Sequence, residues 1–293
     1  METKVIFLTT ATLQSAPAVR LMIDSLRSFG GELSEALVWV FSRDADSIQK
    51  LEEEHTRIFP LSVSDPVAAY RFGEKVTACA QAEELVPTGT RSLVWIDPIC
   101  LIVQPPILFN LIPDMDAAFR PVHIQNIGLH ASQPLDAFWK GIYASVGVDN
   151  ISFTVTSFVD GQLLRPYFNS HAFSVNPQLG LMKRWYELFD RLTSDKAYQS
   201  SACADGFHKT FLFQALLSTL ITASIEPTRL CLLPSNYNYP YNLQDRISAD
   251  RKLASLNEAV CFVYEDRSIR PDDITGIEIH EPLRSWLETR MQG

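Results

Sequence analysis

Apolar and polar positions fall into alternating blocks over the first hundred residues. Val5–Thr9 is a continuous apolar run, the pattern of a strand covered on both faces. From Ser15 to Phe29 the apolar residues Val19, Met22, Ile23 and Leu26 recur at helical spacing, and Gly30-Gly31 stops that helix. Ala36–Phe41 predicts a second buried strand, Asp46 to His55 a helix, and Arg57–Val63 a third strand. Glu74–Leu85 predicts a helix ended near Pro87, and Ser92–Ile96 a fourth strand that closes on Asp97. Strand and helix alternate three times before the last strand, so the expected product is a parallel sheet with right-handed crossovers.

The second half is less regular. Short strands are expected at Asp116–Arg120, Phe153–Phe158, Phe168–Val175 and Val260–Tyr264. Helices are expected at Gln133–Ser145, Pro177–Leu192 and Ala204–Thr222, the last being the longest, with Asp205 near its start. Thr210–Ile225 is the longest nearly apolar stretch, but Gln214, Ser218, Thr219 and Thr222 interrupt it, so it reads as a buried helix. A bilayer span needs about 18 or more uninterrupted apolar residues. No repeat, low-complexity segment or linker divides the chain, which predicts one α/β domain over 1–293.

Parallel sheets bind ligands beyond the carboxyl ends of their strands. That rule places the candidate site at Thr9, Thr10 and Ala11, at Ser42, Arg43 and Asp44, and at the turn of Asp97. The first strand is followed by neither GxGxxG nor GxxxxGK[ST], which argues against a dinucleotide fold or a P-loop there. No GxSxG elbow is present, which argues against a hydrolase of that type. His123, His130 and His171 have no zinc spacing. Composition changes the picture little: 46% of the 293 residues are hydrophobic and 20% charged. The net charge of −9 argues against a general nucleic-acid binder. Five scattered cysteines without a CxxC fit reduced thiols and a cytoplasmic protein, and the N-terminus has no signal-peptide pattern.

Four segments in order carry a resemblance. Arg71-Phe72-Gly73-Glu74-Lys75 leads into a helix and then into Ser92-Leu93-Val94-Trp95-Ile96-Asp97. Pro166-Tyr167-Phe168-Asn169-Ser170-His171 is followed by apolar residues and Asn176. Asp205 heads a helix, and Leu233-Pro234-Ser235-Asn236-Tyr237-Asn238 follows it. Over roughly residues 4–240 this order resembles the GT-A fold of nucleotide-sugar glycosyltransferases, particularly the glycogenin-like group. The resemblance implies a mixed, mainly parallel sheet flanked by helices, with a nucleotide-binding half (1–100) and an acceptor and sugar half (101–293). It also implies transfer of a sugar from a nucleoside-diphosphate donor to a hydroxyl acceptor.

The resemblance assigns residues as follows. Thr9, Thr10 and Arg43 would lie at the nucleotide, with Arg71 and Lys75 neutralising phosphate. Asp97 would sit beside the diphosphate or ribose, and Asn169 and Ser170 at the donor sugar. His171 and Asp205 would surround the reacting centre, Asp205 as general base or sugar ligand. Each has a plainer reading too: Asp205 as a helix cap, Asn169 as a strand-edge amide, and Lys75 and Arg71 as solvated helix charges. Two departures stand out. The family's metal-binding Asp-x-Asp reads Asp97-Pro98-Ile99, and its late metal-binding His is replaced by a segment offering Glu265 and Asp266. Manganese or magnesium carried with the donor diphosphate would then find Asp97 alone, which predicts weak or absent metal dependence. The other departure is His171 where the family has glycine. Together these leave open a GT-A-like binding or scaffold protein that has lost transfer; a nucleotidyltransferase ranks last. The tyrosines at 237, 239 and 241 read equally as a stacking wall or as pins for an irregular loop.

Overall fold

The computed structural model describes residues 4–291. The expected alternation is present. Strand β1 (Val5–Thr10) is followed by helix α1 (Ala16–Phe29), β2 (Leu37–Ser42), β3 (Thr56–Pro60), and the helices α2 (Asp65–Ala68) and α3 (Gly73–Leu85). Then come β4 (Ser92–Ile96), β5 (Cys100–Ile102), β6 (Ala117–Phe119), α4 (Ala137–Val146), β7 (Val155–Thr156), β8 (Leu163–Leu164) and β9 (Ala172–Val175). The chain continues through α5 (Leu181–Ser194), α6 (Lys196–Ser201), α7 (Gly206–Ser224), β10 (Leu230–Leu232), β11 (Tyr239–Pro240), β12 (Cys261–Val263) and α8 (Leu283–Met291).

Seven strands form the central sheet in the order β10-β6-β9-β4-β1-β2-β3. All its pairings are parallel except those of β9, which runs antiparallel to both β4 and β6. The apolar runs are covered on both faces because successive side chains point to opposite sides. Ile6, Leu8, Trp39, Phe41, Leu93 and Trp95 face the layer of α3, α4, α5 and α7. Val5, Phe7, Val38, Val40, Val94 and Ile96 face α1 and the inner side of a three-stranded sheet ordered β11-β12-β5. The outer side of that small sheet packs Leu101, Tyr239 and Phe262 against Leu283 and Leu287 of α8.

Several expected elements are shorter than the pattern suggested. The stretch from Asp46 forms only 3-10 turns over Ala45–Leu51, and Glu52 is already extended. The Pro177–Leu192 helix divides at Gly180, whose φ of +65° is left-handed and therefore open to glycine at little cost. A 3-10 turn, Pro177–Leu179, precedes the break and α5 follows it. The Phe168–Val175 strand pairs regularly only from Ala172, because the chain before it turns through Asn169 and Ser170. The Thr210–Ile225 stretch is helical to Ser224 within α7, which is buried continuously from Leu212 to Ile221. Among the described residues no helix is long and apolar enough to cross a membrane.

Candidate functional site

The carboxyl edge of the central sheet carries a cleft of about 570 Å³. Thr10 at the end of β1, Asp97 just past β4, Arg71 and Lys75 around the start of α3, and His171 just before β9 all line it. The first half of the chain thus supplies the floor and one wall, and β9 brings His171 in from the second half.

Helix α3 reaches this position through a close approach. A Cβ on Gly73 would stand 2.0 Å from the Val67 carbonyl oxygen, so only glycine lets α3 begin against α2. Two residues later Lys75 is buried, 4% exposed. Its Nζ donates to Asp97 Oδ2 and to the Ser170 carbonyl, each at 3.0 Å, and is ion-paired with Asp97 Oδ1 at 2.8 Å. The ammonium also lies 4.9 Å from the ring centre of Trp95 and 5.4 Å from those of Phe72 and Phe213. These are cation–π distances in a desolvated setting.

Asp97 is correspondingly saturated. Besides Lys75, its Oδ1 accepts from the Trp95 indole at 2.8 Å, and its Oδ2 lies 2.8 Å from His171 Nδ1. Burial pushes the carboxyl pKa up, but the Lys75 charge and the His171 hydrogen bond outweigh it. The net effect holds Asp97 below the usual carboxylate range. The other His171 nitrogen, Nε2, stands 3.6 Å from Glu265. A line of Lys75, Asp97, His171 and Glu265 therefore crosses the cleft.

The remaining expected residues occupy a second tier or lie outside. Thr9 is fully buried, and its hydroxyl has no partner among the described residues. Asn169 is buried: its Oδ1 accepts from the His171 backbone at 2.9 Å and from Asn238 Nδ2 at 3.2 Å. Ser170 donates from its hydroxyl to Gln214. Both fix the turn that presents His171 and do not line the cleft. Arg43 is exposed, 3.9 Å from Glu74. Asp205 caps α7, accepting from the backbone of Phe207 and His208 at 2.9 Å each and pairing with the His208 ring. Hydrogen bonding from the His208 backbone depresses its pKa. It is not a lining residue, although Phe211 on the same helix is. Trp95, Phe72, Glu74 and Phe211 also line the cleft and went unread in the sequence. Trp95 looked like one more apolar residue in a strand; only its indole N–H two residues before Asp97 hinted at a role. The three tyrosines are pins: Tyr237, Tyr239 and Tyr241 are all buried, with hydroxyls engaged at Leu108, Gln244 and Ser268.

A family model described as the Rhodobacterales glycosyltransferase domain matches residues 10–223. The chain belongs to that glycosyltransferase family. Solved structures agree on the fold. A galactosyltransferase, LgtC, in complex with donor and acceptor sugar analogues, superposes with a TM-score of 0.54 at 13% identity, covering 97% of this chain and 95% of that one. The bifunctional glycosyltransferase WbbM, in its apo form, gives 0.52 at 11% identity, covering all of this chain and 52% of that one. No curated protein sequence matches. The glycosyltransferase thus has a GT-A-like fold.

The resemblance to metal-dependent members raises the question of a divalent cation, and the donor set answers it. Every oxygen of Asp97 is already met by an ammonium, an indole or an imidazole nitrogen, and Ile99 offers no ligand. Among the described residues no three His, Cys, Asp or Glu side chains are placed to hold a metal ion. As arranged, this glycosyltransferase does not fit a divalent cation seated on Asp97.

Proposed function

We propose that the cleft binds a nucleoside-diphosphate sugar and that the protein transfers the sugar to a hydroxyl acceptor without a metal resident on Asp97. The observation that carries this is the gathering of Thr10, Arg71, Lys75, Asp97 and His171 around one cleft at the carboxyl edge of the sheet. The nucleotide lies over the 1–100 half and the acceptor over the 101–293 half. Five unpaired cysteines suit a reducing compartment, so we place the protein in the cytoplasm.

Transfer breaks the bond between the anomeric carbon and the diphosphate oxygen and forms one to the acceptor oxygen. Negative charge develops on the leaving diphosphate, and the acceptor hydroxyl gives up a proton. Arg71, its guanidinium 5.3 Å from the Phe72 ring centre, is the cleft cation placed to meet that charge. Lys75 acts more indirectly: its charge is committed to Asp97, and together they fix the imidazole of His171 through Nδ1. His171 Nε2 then faces the cleft beside Glu265, a pair suited to hold a proton near the reacting sugar. Asp205 caps α7 and reaches this chemistry only through that helix.

A second reading is a relative that binds a nucleotide sugar and does not turn it over. The mutual saturation of Lys75, Asp97 and His171 favours it, since such a network leaves less charge for a departing diphosphate. Thermal shifts with uridine and guanosine diphosphate sugars, with and without manganese, test both. A ligand at 100 times its dissociation constant stabilises by about 2.7 kcal/mol. A shift with slow donor hydrolysis and no manganese requirement supports the transferase. A shift without turnover supports the second reading, and no shift with any nucleotide sugar removes both. A Lys75→Ala variant with an undiminished shift would show that Lys75 contributes nothing to phosphate binding.

A further inference from the structure

A second cavity, of about 340 Å³, opens along the same edge past the ends of β6 and β10. Its walls include Arg120, Ser157, Phe158, Ser235 and Arg251, and among the described residues no acidic side chain lines it. Arg120 is 2% exposed. Its Nη1 donates to the carbonyl oxygens of Tyr237 and Asn238, at 2.7 and 2.6 Å, and the guanidinium lies 4.3 Å from the centre of the Phe158 ring. Its Nη2 is buried with no partner, and among the described residues no carboxylate forms an ion pair with it. Burial pushes its pKa down to about 9. The neighbouring His123 offers no countercharge: burial, then the Arg120 charge, push its pKa far down, and both its ring nitrogens are unpartnered. A buried cation without an anion is costly, and such charges are normally paired.

Arg251 stands at the rim with its side chain 38% exposed. Its Nη1 donates to the Phe158 carbonyl at 2.7 Å, and its Nε is 3.9 Å from Asp250. The Ser157 hydroxyl is committed to Asp160, whereas Ser235 is exposed. Two arginines converging on one cavity suit an oxyanion, which a guanidinium meets with parallel N–H groups. Residues behind the two cavities are in contact. The Arg120 carbonyl accepts from Asn169, and the His123 ring stacks on the ring of His171 at 6.0 Å.

We infer that this cavity is an anion site, built by Arg120 and Arg251, that takes a carboxylate or phosphate group carried by the acceptor. The anion site stands on its own geometry; its assignment to the acceptor rests on the transferase reading.

Isothermal titration of the full chain with inorganic phosphate, glucuronate and glucose tests it. Phosphate, glucuronate or both should bind and glucose should not, and the stronger of the two anions identifies the acceptor's acidic group. Arg251→Gln, on the rim, should weaken binding at this site at least tenfold, while Arg71→Gln, in the donor cleft, should leave that Arg251-dependent component unchanged. Absence of anion binding, equal affinity in Arg251→Gln, or loss of the Arg251-dependent component in Arg71→Gln would each overturn the site. Nucleotide-sugar binding measured alongside separates the two conclusions. If nucleotide sugars bind and no anion does, the transferase reading stands without this site. If an Arg251-dependent anion binds and no nucleotide sugar does, the acceptor assignment is overturned.

Discussion

Replacing Lys75 by methionine isolates the centre of the proposed site. Methionine keeps the apolar contacts with Phe72, Trp95 and Phe213 but removes the Nζ hydrogen bonds to Asp97 Oδ2 and the Ser170 carbonyl together with the ion pair to Asp97. The cost comes chiefly from Asp97, left buried as an uncompensated charge. Breaking one side of a buried pair costs about 3–5 kcal/mol. The Trp95 indole and His171 still donate to the carboxylate, so the lower end applies, about 3 kcal/mol. At about 2–4 °C per kcal/mol for a large domain, the melting temperature should fall by roughly 6–12 °C. The pH dependence supplies the sign. In the native protein the Asp97 pKa is depressed, so its contribution is present above the unfolded carboxyl value, about 3.9, and is lost as pH falls through the folded value. Without Lys75, burial dominates and the pKa moves above the unfolded value, so protonation relieves the strain. Urea denaturation followed by circular dichroism should therefore show a deficit largest near neutral pH and smaller at about pH 5. Adding Asp97→Asn to Lys75→Met should recover part of the loss, because the amide oxygen still accepts while the charge is gone. A loss below about 1 kcal/mol, or a deficit identical at both pH values, would refute the claim that Lys75 and Asp97 form a buried, mutually dependent pair.

Two further outcomes follow from the same geometry. Asp205→Ala should cost about 1 kcal/mol through loss of the α7 cap and leave nucleotide-sugar affinity unchanged; a more than tenfold fall in turnover at unchanged affinity would instead restore it as a general base. Asp116, beneath the β6–β9 edge, accepts from Arg229 Nε and Asn176 Nδ2, and the Arg229 bond leads in depressing its pKa. Asp116→Asn should lower stability at neutral pH by about 1 kcal/mol, discounted because Arg229 is 40% exposed, and the difference from the native protein should vanish below the folded pKa; a difference that persisted in acid would mean packing, not charge, is responsible.

The sequence determined the frame of this protein because its first half is written in long periodic blocks. The runs at Val5–Thr9, Ala36–Phe41 and Ser92–Ile96 could only be strands covered on both faces, and the rule for parallel sheets then placed Thr10 and Asp97 at a ligand edge. Strands of two or three residues, such as Leu163–Leu164, Leu230–Leu232 and Tyr239–Pro240, carry no period of their own and exist only because a neighbour pairs with them. The same limit applied to individual charges. Lys75 in sequence looks like any lysine early in a helix, and only the close approach at Gly73 turns it inward to Asp97. Asn169 and Ser170 were legible as a segment, but their burial, and hence their work in presenting His171, was decided by Asn238 and Gln214 from distant parts of the chain. Arg120 shows the point most sharply. In sequence it is one more arginine, at the end of an expected short strand; the packing of Phe158 and the Tyr237 loop around it makes it a buried cation with no carboxylate paired to it among the described residues. Burial and partner geometry are properties of the assembled chain, so the tertiary structure alone decides which charges are neutralised within the protein and which await a ligand.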